Sequence, residues 1–180
     1  MAVTVTTYYL QMTAPAELRP KRSERRDVAV CLIDPPLPEL NRFFYTAVGG
    51  DWFWIDRLPW TYQHWLDYLT QPGMETWMLT AARVQAGYCE LRTQPGGDAQ
   101  VAYFGLLPQF AGLGLGGHLL TVAAERAWEL GARRVWLHTC SLDHPAALAH
   151  YTARGFRVYH QESTSKELPP RAPGPWPGAR

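Results

Sequence analysis

Leu107-Pro-Gln-Phe-Ala-Gly-Leu-Gly-Leu-Gly-Gly-His-Leu-Leu120 is the stretch that decides how this chain folds. A strand-like run, Gln100 to Leu107, leads into it, and a helical run from about His118 to Leu130, closed by Gly131, leads out. Glycine stands at 112, 114, 116 and 117. Residues without a Cβ let the backbone turn sharply and approach a ligand closely, and the first amides of a helix have no intrahelical acceptor. Backed by the helix dipole, those amides form an anion site suited to a pyrophosphate, with no lysine required. Gly112, Gly114 and Gly117 also match the dinucleotide pattern G-x-G-x-x-G. That pattern expects an acidic residue about 20 positions further on, where this chain has His138, Thr139 and Cys140. No G-K-[ST] follows the glycines, which excludes a P-loop nucleotidase.

On either side of this unit the chain reads as mixed α/β. Upstream, Thr76 to Ala82 and Gly87 to Arg92 are predicted strands, and the turn Gln94-Pro-Gly-Gly-Asp98 joins the second to the strand before the loop. Two helices precede them: Leu37, Leu40, Phe43, Phe44 and Ala47 recur at helical spacing up to Gly49-Gly50, and Trp60 to Leu69 stops at Gln71-Pro-Gly73. Val3 to Met12 and Val28 to Ile33 are predicted strands, separated by the charged segment Leu18 to Asp27, expected to be a solvated loop. Downstream come a strand over Arg134 to Thr139, a short helix over Pro145 to Arg154 and a last strand over Phe156 to Gln161. Pro169, Pro170, Pro173, Pro175 and Pro177 then predict a loose, partly polyproline-like tail. The expected organisation is one domain over residues 1–162 with a tail over 163–180.

Composition narrows the function classes. A chain of 180 residues that is 47% apolar and 18% charged is long enough for one core and is not disordered. Seventeen Lys and Arg against sixteen Asp and Glu leave a formal charge of +1, which disfavours a nucleic-acid partner. No apolar run approaches the roughly 20 residues of a membrane span, and the first dozen residues lack the pattern of a secretory leader. Cys31, Cys89 and Cys140 are odd in number and scattered, neither a disulfide framework nor a metal site, and fit a reducing cytoplasm. Eight Trp, nine Tyr and six Phe, crowded between Phe43 and Trp77, point to a pocket wall or an interface besides the core, so a homodimer is among the expectations.

Two motifs carry a resemblance. Ala111-Gly-Leu-Gly-Leu-Gly116, after Pro108 and before Leu119-Leu120, is similar to the pyrophosphate loop R/Q-G-x-G-x-G/A of the GCN5-related N-acetyltransferase (GNAT) superfamily. His144-Pro-Ala-Ala147-Leu-Ala-His-Tyr151-Thr-Ala-Arg-Gly155-Phe156 resembles the family's N-x-x-A-x-x-x-Y-x-x-x-G-F. The resemblance covers roughly residues 76–161 and implies a GNAT-like α/β (α+β) domain with a mixed, largely antiparallel sheet. It further implies that acetyl-CoA lies along Leu106 and Leu107, against Gln109, Ala111, Gly112, Leu113, Gly114, Leu115, Gly116 and Gly117, and reaches His144 and Tyr151. Two residues depart from the pattern: Ala111 replaces Arg or Gln at the head of the loop, and His144 replaces Asn. Losing one side-chain hydrogen bond at Ala111 costs about 0.5–1.5 kcal/mol, and Gln109 is a candidate to compensate.

Acyl transfer from a thioester to an amine needs a neutral amine, and deprotonating a lysine-like ammonium at neutral pH costs roughly 4–5 kcal/mol. A general base lowers that barrier, a proton donor helps the thiolate leave, and a backbone N–H steadies the oxyanion. The resemblance puts the family's acid tyrosine at Tyr151. Glu90 is the candidate base: in Gly87-Tyr-Cys-Glu-Leu91 the period of 2 puts it beside Tyr88, with Cys89 and Leu91 on the other face. His144 and His138 are rival bases, and Cys140, without a basic partner, is expected to be inert. The resemblance implies that the acceptor, a small amine or amino-acid-like molecule, is recognised between the first two helices, where Asp51, Trp52, Trp54, Asp56 and Arg57 lie, with Tyr103 added from the sheet. A longer acyl-CoA donor, or a catalytically silent acyl-CoA-binding module, remain the alternatives.

Overall fold

The computed structural model describes residues 2–176 and 178–179. Seven strands form one sheet in the order β2-β3-β4-β5-β6-β1-β7. They are β1 (Ala2–Met12), β2 (Val28–Leu32), β3 (Met74–Ala81), β4 (Val84–Gln94), β5 (Asp98–Leu106), β6 (Arg134–Cys140) and β7 (Arg157–Glu167). Helices α1 (Pro38–Gly49) and α2 (Tyr62–Leu69) separate β2 from β3, α3 (Leu115–Glu129) joins β5 to β6, and α4 (Ala147–Ala153) precedes β7. Every neighbouring pair is antiparallel except β5 and β6, which run parallel and therefore need the crossover that α3 provides. This is the mixed, largely antiparallel sheet that the resemblance implies.

Alternation along β4 sorts the two faces. Cys89 and Leu91 turn to a core built on α3, where Leu115, Leu119, Leu120, Ala123, Ala124 and Ala127 meet Leu79, Val101, Val135 and Leu137. Tyr88 turns to the opposite face and packs on Phe44 and Val48 of α1. Tyr45, Trp65 and Leu69 form a third cluster that pins α2 to α1. Helix α2 begins at Tyr62 because Thr61 caps it: its hydroxyl accepts the His64 amide at 3.2 Å, and His64 Nδ1 accepts the Thr61 amide at 3.3 Å.

Two boundaries differ from expectation. Helix α3 starts at Leu115, three residues before His118, so Gly116 and Gly117 are helical despite their low propensity. Strand β7 runs to Glu167, five residues into the expected tail, because residues 163–167 pair with Ala2 to Thr6 of β1. The proline signal began only at Pro169, and it could not report a partner strand more than 150 residues away. Beyond the strand, Leu168 is buried, and the Gly174 amide donates to the Gly50 carbonyl at 3.0 Å, so the tail is docked on the turn after α1. Pro177 and Arg180, also assigned to the tail, lie outside the described residues.

Two departures from regular pairing shape the site. β5 and β6 pair only from Asp98–Gln100 to Arg134–Trp136 and then part, although both strands continue. On its other side β5 is bulged: Glu90 pairs with Tyr103 and Leu91 with Val101, which leaves Ala102 without a partner on β4.

Candidate acyl-carrier cleft and acceptor wall

A cleft of about 640 Å³ opens where β5 and β6 part. One end is the glycine loop, lined by Ala111, Gly112, Gly114, Gly116 and Gly117. Gly112 and Gly114 take φ of +77° and +76°, values that strain any residue with a Cβ, and Gly114 caps α3 without a side-chain bond. The opening amides of α3 are therefore left for a ligand. The floor is β5 from Val101 to Leu106. The far end is walled by Trp52, Phe53, Trp54 and Asp56, with Tyr103, His138 and Cys140 from the sheet. Leu142, Asp143, His144, His150 and Tyr151 close the side.

Of the residues singled out from the sequence, the cleft brings together Leu106, Ala111, Gly112, Gly114, Gly116, Gly117, His144, Tyr151, Trp52, Trp54, Asp56 and Tyr103. Leu107 instead packs against Phe44, Val48 and Tyr88, and Leu115 is fully buried under the sheet. Gln109 and Leu113 are exposed outside the cleft lining, and Asp51 lies on the turn after α1, also outside it.

Glu90 and Arg57 need correction. Glu90 is wholly buried and absent from the cleft lining; Arg57 Nη1 donates to its Oε2 at 2.9 Å, Tyr68 Oη donates to the same oxygen at 2.9 Å, and Asn41 Nδ2 donates to Oε1 at 2.9 Å. The carboxylate is thus sealed from the cleft. Arg57 is committed to Glu90 and lies between the rings of Tyr68 and Tyr103, 4.0 Å from each centroid, so it is not available to an acceptor carboxylate. The period of 2 gave the correct face for Glu90, but no local pattern could reveal that an arginine 33 residues away shares it.

The remaining polar groups face the cleft. Tyr151 is buried among Phe104, His150 and Phe156, and burial, with nearby Asp143, pushes its hydroxyl well above the ordinary tyrosine range. Asp143, which the sequence did not single out as a site residue, takes the Thr139 hydroxyl at 2.8 Å and the Cys140 amide at 2.9 Å on one oxygen and Trp54 Nε1 at 3.3 Å on the other. It ties the aromatic wall to the end of β6. His144 rests edge-on against Trp52, and its Nδ1 accepts the Ala146 amide at 3.1 Å, so its neutral form carries the proton on Nε2. Burial pushes the Cys140 thiol up, which keeps it protonated at neutral pH.

His118, His138 and His150 all titrate below the ordinary value of 6.5, with desolvation the main cause, aided by Arg22, Lys166 and Arg154 respectively. The unfolded chain takes up these protons first as pH drops, so stability is complete above about pH 6.5 and declines below it. A melting curve series should show the midpoint falling from about pH 6.5 downward, less steeply in a His138→Gln/His150→Gln double variant. A midpoint constant down to about pH 5 would contradict these shifts.

One cleft thus runs from the glycine-rich start of α3, past Tyr151, to a wall of aromatic side chains. In sequence, residues 37–156 match the acetyltransferase (GNAT) family, and the chain belongs to that family. The structure is similar to that of a GCN5-related N-acetyltransferase from Sphaerobacter thermophilus, with 17% identity and a TM-score of 0.70 over 91% of this chain and 51% of that one. It is also similar to a GCN5-related N-acetyltransferase from Kribbella flavida, with 18% identity and a TM-score of 0.64 over 91% of this chain and 58% of that one. The ribosomal-protein-S18-alanine N-acetyltransferase of Escherichia coli matches at 16% identity and a TM-score of 0.57, covering 72% of this chain and 77% of its own. The chain thus spans little more than half the length of the first two. No curated protein matches it in sequence. None of the described helices is long and apolar enough to cross a membrane.

Proposed function

We propose that the chain is an N-acetyltransferase that transfers an acetyl group from acetyl-CoA directly to a small amine or amino-acid-like acceptor, in the cytoplasm. The observation that carries this reading is the continuity of the cleft: glycine cradle, strand floor and aromatic wall line one space with Tyr151 on its side. The donor fits the residues present. A Cβ at Gly112 would meet nothing within 4 Å, so the mouth of the cradle is open, and His150 Nε2 is buried beside Gly116 with no partner among the described residues. Bound there, acetyl-CoA supplies the activated thioester that an amine attacks.

The amides opening α3 and the residues Ala111, Gly112, Gly114, Gly116 and Gly117 would hold its diphosphate, and the unpaired segment around Ala102 would accompany its arm. Tyr151 holds its proton at neutral pH and is the group that can supply one where a thiolate departs. Trp52, Trp54 and Tyr103 give an aromatic wall, and Asp56 a negative charge, suited to an ammonium. For the base we favour His138 over Glu90: it faces the cleft, and its lowered pKa keeps the imidazole neutral near pH 7. His144 presents a proton-bearing nitrogen instead.

Assays of thiol release with acetyl-CoA and a panel of amines test the reading. Acceptor-dependent release supports it, whereas CoA binding with no release from any acyl-CoA favours the silent module. With a good acceptor, kcat should fall as pH drops through the lowered His138 pKa, below 6.5, and His138→Gln should remove that acidic limb. An unchanged limb in the variant would clear His138 of the base role.

A further inference from the structure

The charged segment between β1 and β2 does more than stay in solvent. It crosses the face of the sheet that carries α3 and is stitched down: the Arg19 amide donates to the Arg154 carbonyl at 3.0 Å, and the Lys21 amide donates to Thr121 Oγ1 at 2.9 Å. Thr121 in turn donates to the Gly117 carbonyl at 2.7 Å, and Arg22 pairs with Glu125 at 2.6 Å. With its backbone fixed on α3, the Lys21 side chain lies along the first turn of that helix. A Cβ on Gly117 would stand 2.8 Å from Lys21 Cδ, and one on Gly114 3.4 Å from Cε and 3.6 Å from Nζ. Close approach by this lysine is a second reason for glycine at position 117.

The placement is electrostatically unfavourable for the protein alone. The start of a helix carries partial positive charge, and a cation is disfavoured there unless an anion joins it. Arg22 and Arg25 are neutralised by Glu125 and Asp27, but among the described residues Lys21 Nζ has neither an ion pair nor a hydrogen bond. Arg154 lines the same rim, and His150 stacks on Phe104 with its buried Nε2 unpartnered. Four positive or proton-donating features therefore converge at the loop that lacks a side chain at Ala111.

We infer that Lys21, delivered from the β1–β2 crossover, is the side-chain ligand of the donor's diphosphate and replaces the residue missing at Ala111. The inference rests on the acyl-CoA reading above and adds a residue that the glycine motif does not contain. It gives the N-terminal crossover a binding role.

Titration of wild type, Lys21→Ala and Lys21→Arg with CoA, 3′-dephospho-CoA and pantetheine, followed by calorimetry, tests it. Lys21→Ala should weaken CoA and 3′-dephospho-CoA equally, by about tenfold, the lower range for a charge-assisted bond at an exposed site, and leave pantetheine unchanged. Lys21→Arg should retain most of the affinity. The unliganded Lys21→Ala protein should melt no lower than wild type, which separates binding from folding. Equal CoA affinity in Lys21→Ala, a loss confined to CoA and absent with 3′-dephospho-CoA, or a loss that extends to pantetheine would each overturn the assignment. If wild type itself binds neither CoA species, the acyl-CoA reading fails first and takes this inference with it.

Discussion

Arg57→Ala lowers the stability of the folded chain by about 3–5 kcal/mol, because it leaves the wholly buried Glu90 carboxylate without its countercharge. The Tyr68 hydroxyl and the Asn41 amide still reach that carboxylate, but neither carries charge. The guanidinium also fills the space between Tyr68 and Tyr103 and packs over Trp60, so its removal opens a gap among rings besides breaking the pair. For a chain of this size each kcal/mol moves the midpoint by about 2–4 °C, so a drop of roughly 10 °C is expected. Arg57→Met combined with Glu90→Gln should cost clearly less than the sum of the two single changes, since no uncompensated charge remains. Thermal or urea unfolding of Arg57→Ala, Arg57→Met, Glu90→Gln and the double variant measures this directly. A single-variant loss under about 1 kcal/mol would mean that water reaches Glu90 and that the site is not sealed.

Tyr151→Phe should lower kcat about a hundredfold, the modest end for losing a general acid, with CoA affinity and melting midpoint close to wild type. The ring keeps its edge-on packing against Phe104 and Phe156 after the change, so the fold has no reason to respond. Only the proton is lost. Tyr151 is suited to hold one because burial raises the cost of the phenolate, and nearby Asp143 raises it further. The split between kcat and binding matters: a matching loss of CoA affinity would make Tyr151 a wall of the cleft, and unchanged turnover would remove it from the mechanism.

The glycine cradle and the second motif were legible in the sequence because both are local. Strand, turn and helix between Gln100 and Leu130 follow from neighbours in the chain, and so does the short helix that carries Tyr151. What the sequence misassigned was made by distant segments. Alternation puts Glu90 on the correct face, but Asn41 of α1, Arg57 of the following loop and Tyr68 of α2 all reach it, and no local pattern shows that this pairing occupies both Glu90 and Arg57. Lys21 sits in a run of charges that looks like ordinary solvated loop, and only the fold brings it to Gly114, 93 positions later. Asp143 escaped the sequence reading because its ties to Trp54 and Thr139 are tertiary.

The placement of β1 between β6 and β7 has a cost in time. Its partners are Val135 to Cys140 on one side and Arg157 to Glu167 on the other. During synthesis β1 must therefore wait for its first partner until Cys140 has left the ribosome and for its second until Glu167 has, while β3, β4 and β5 zip up as each emerges.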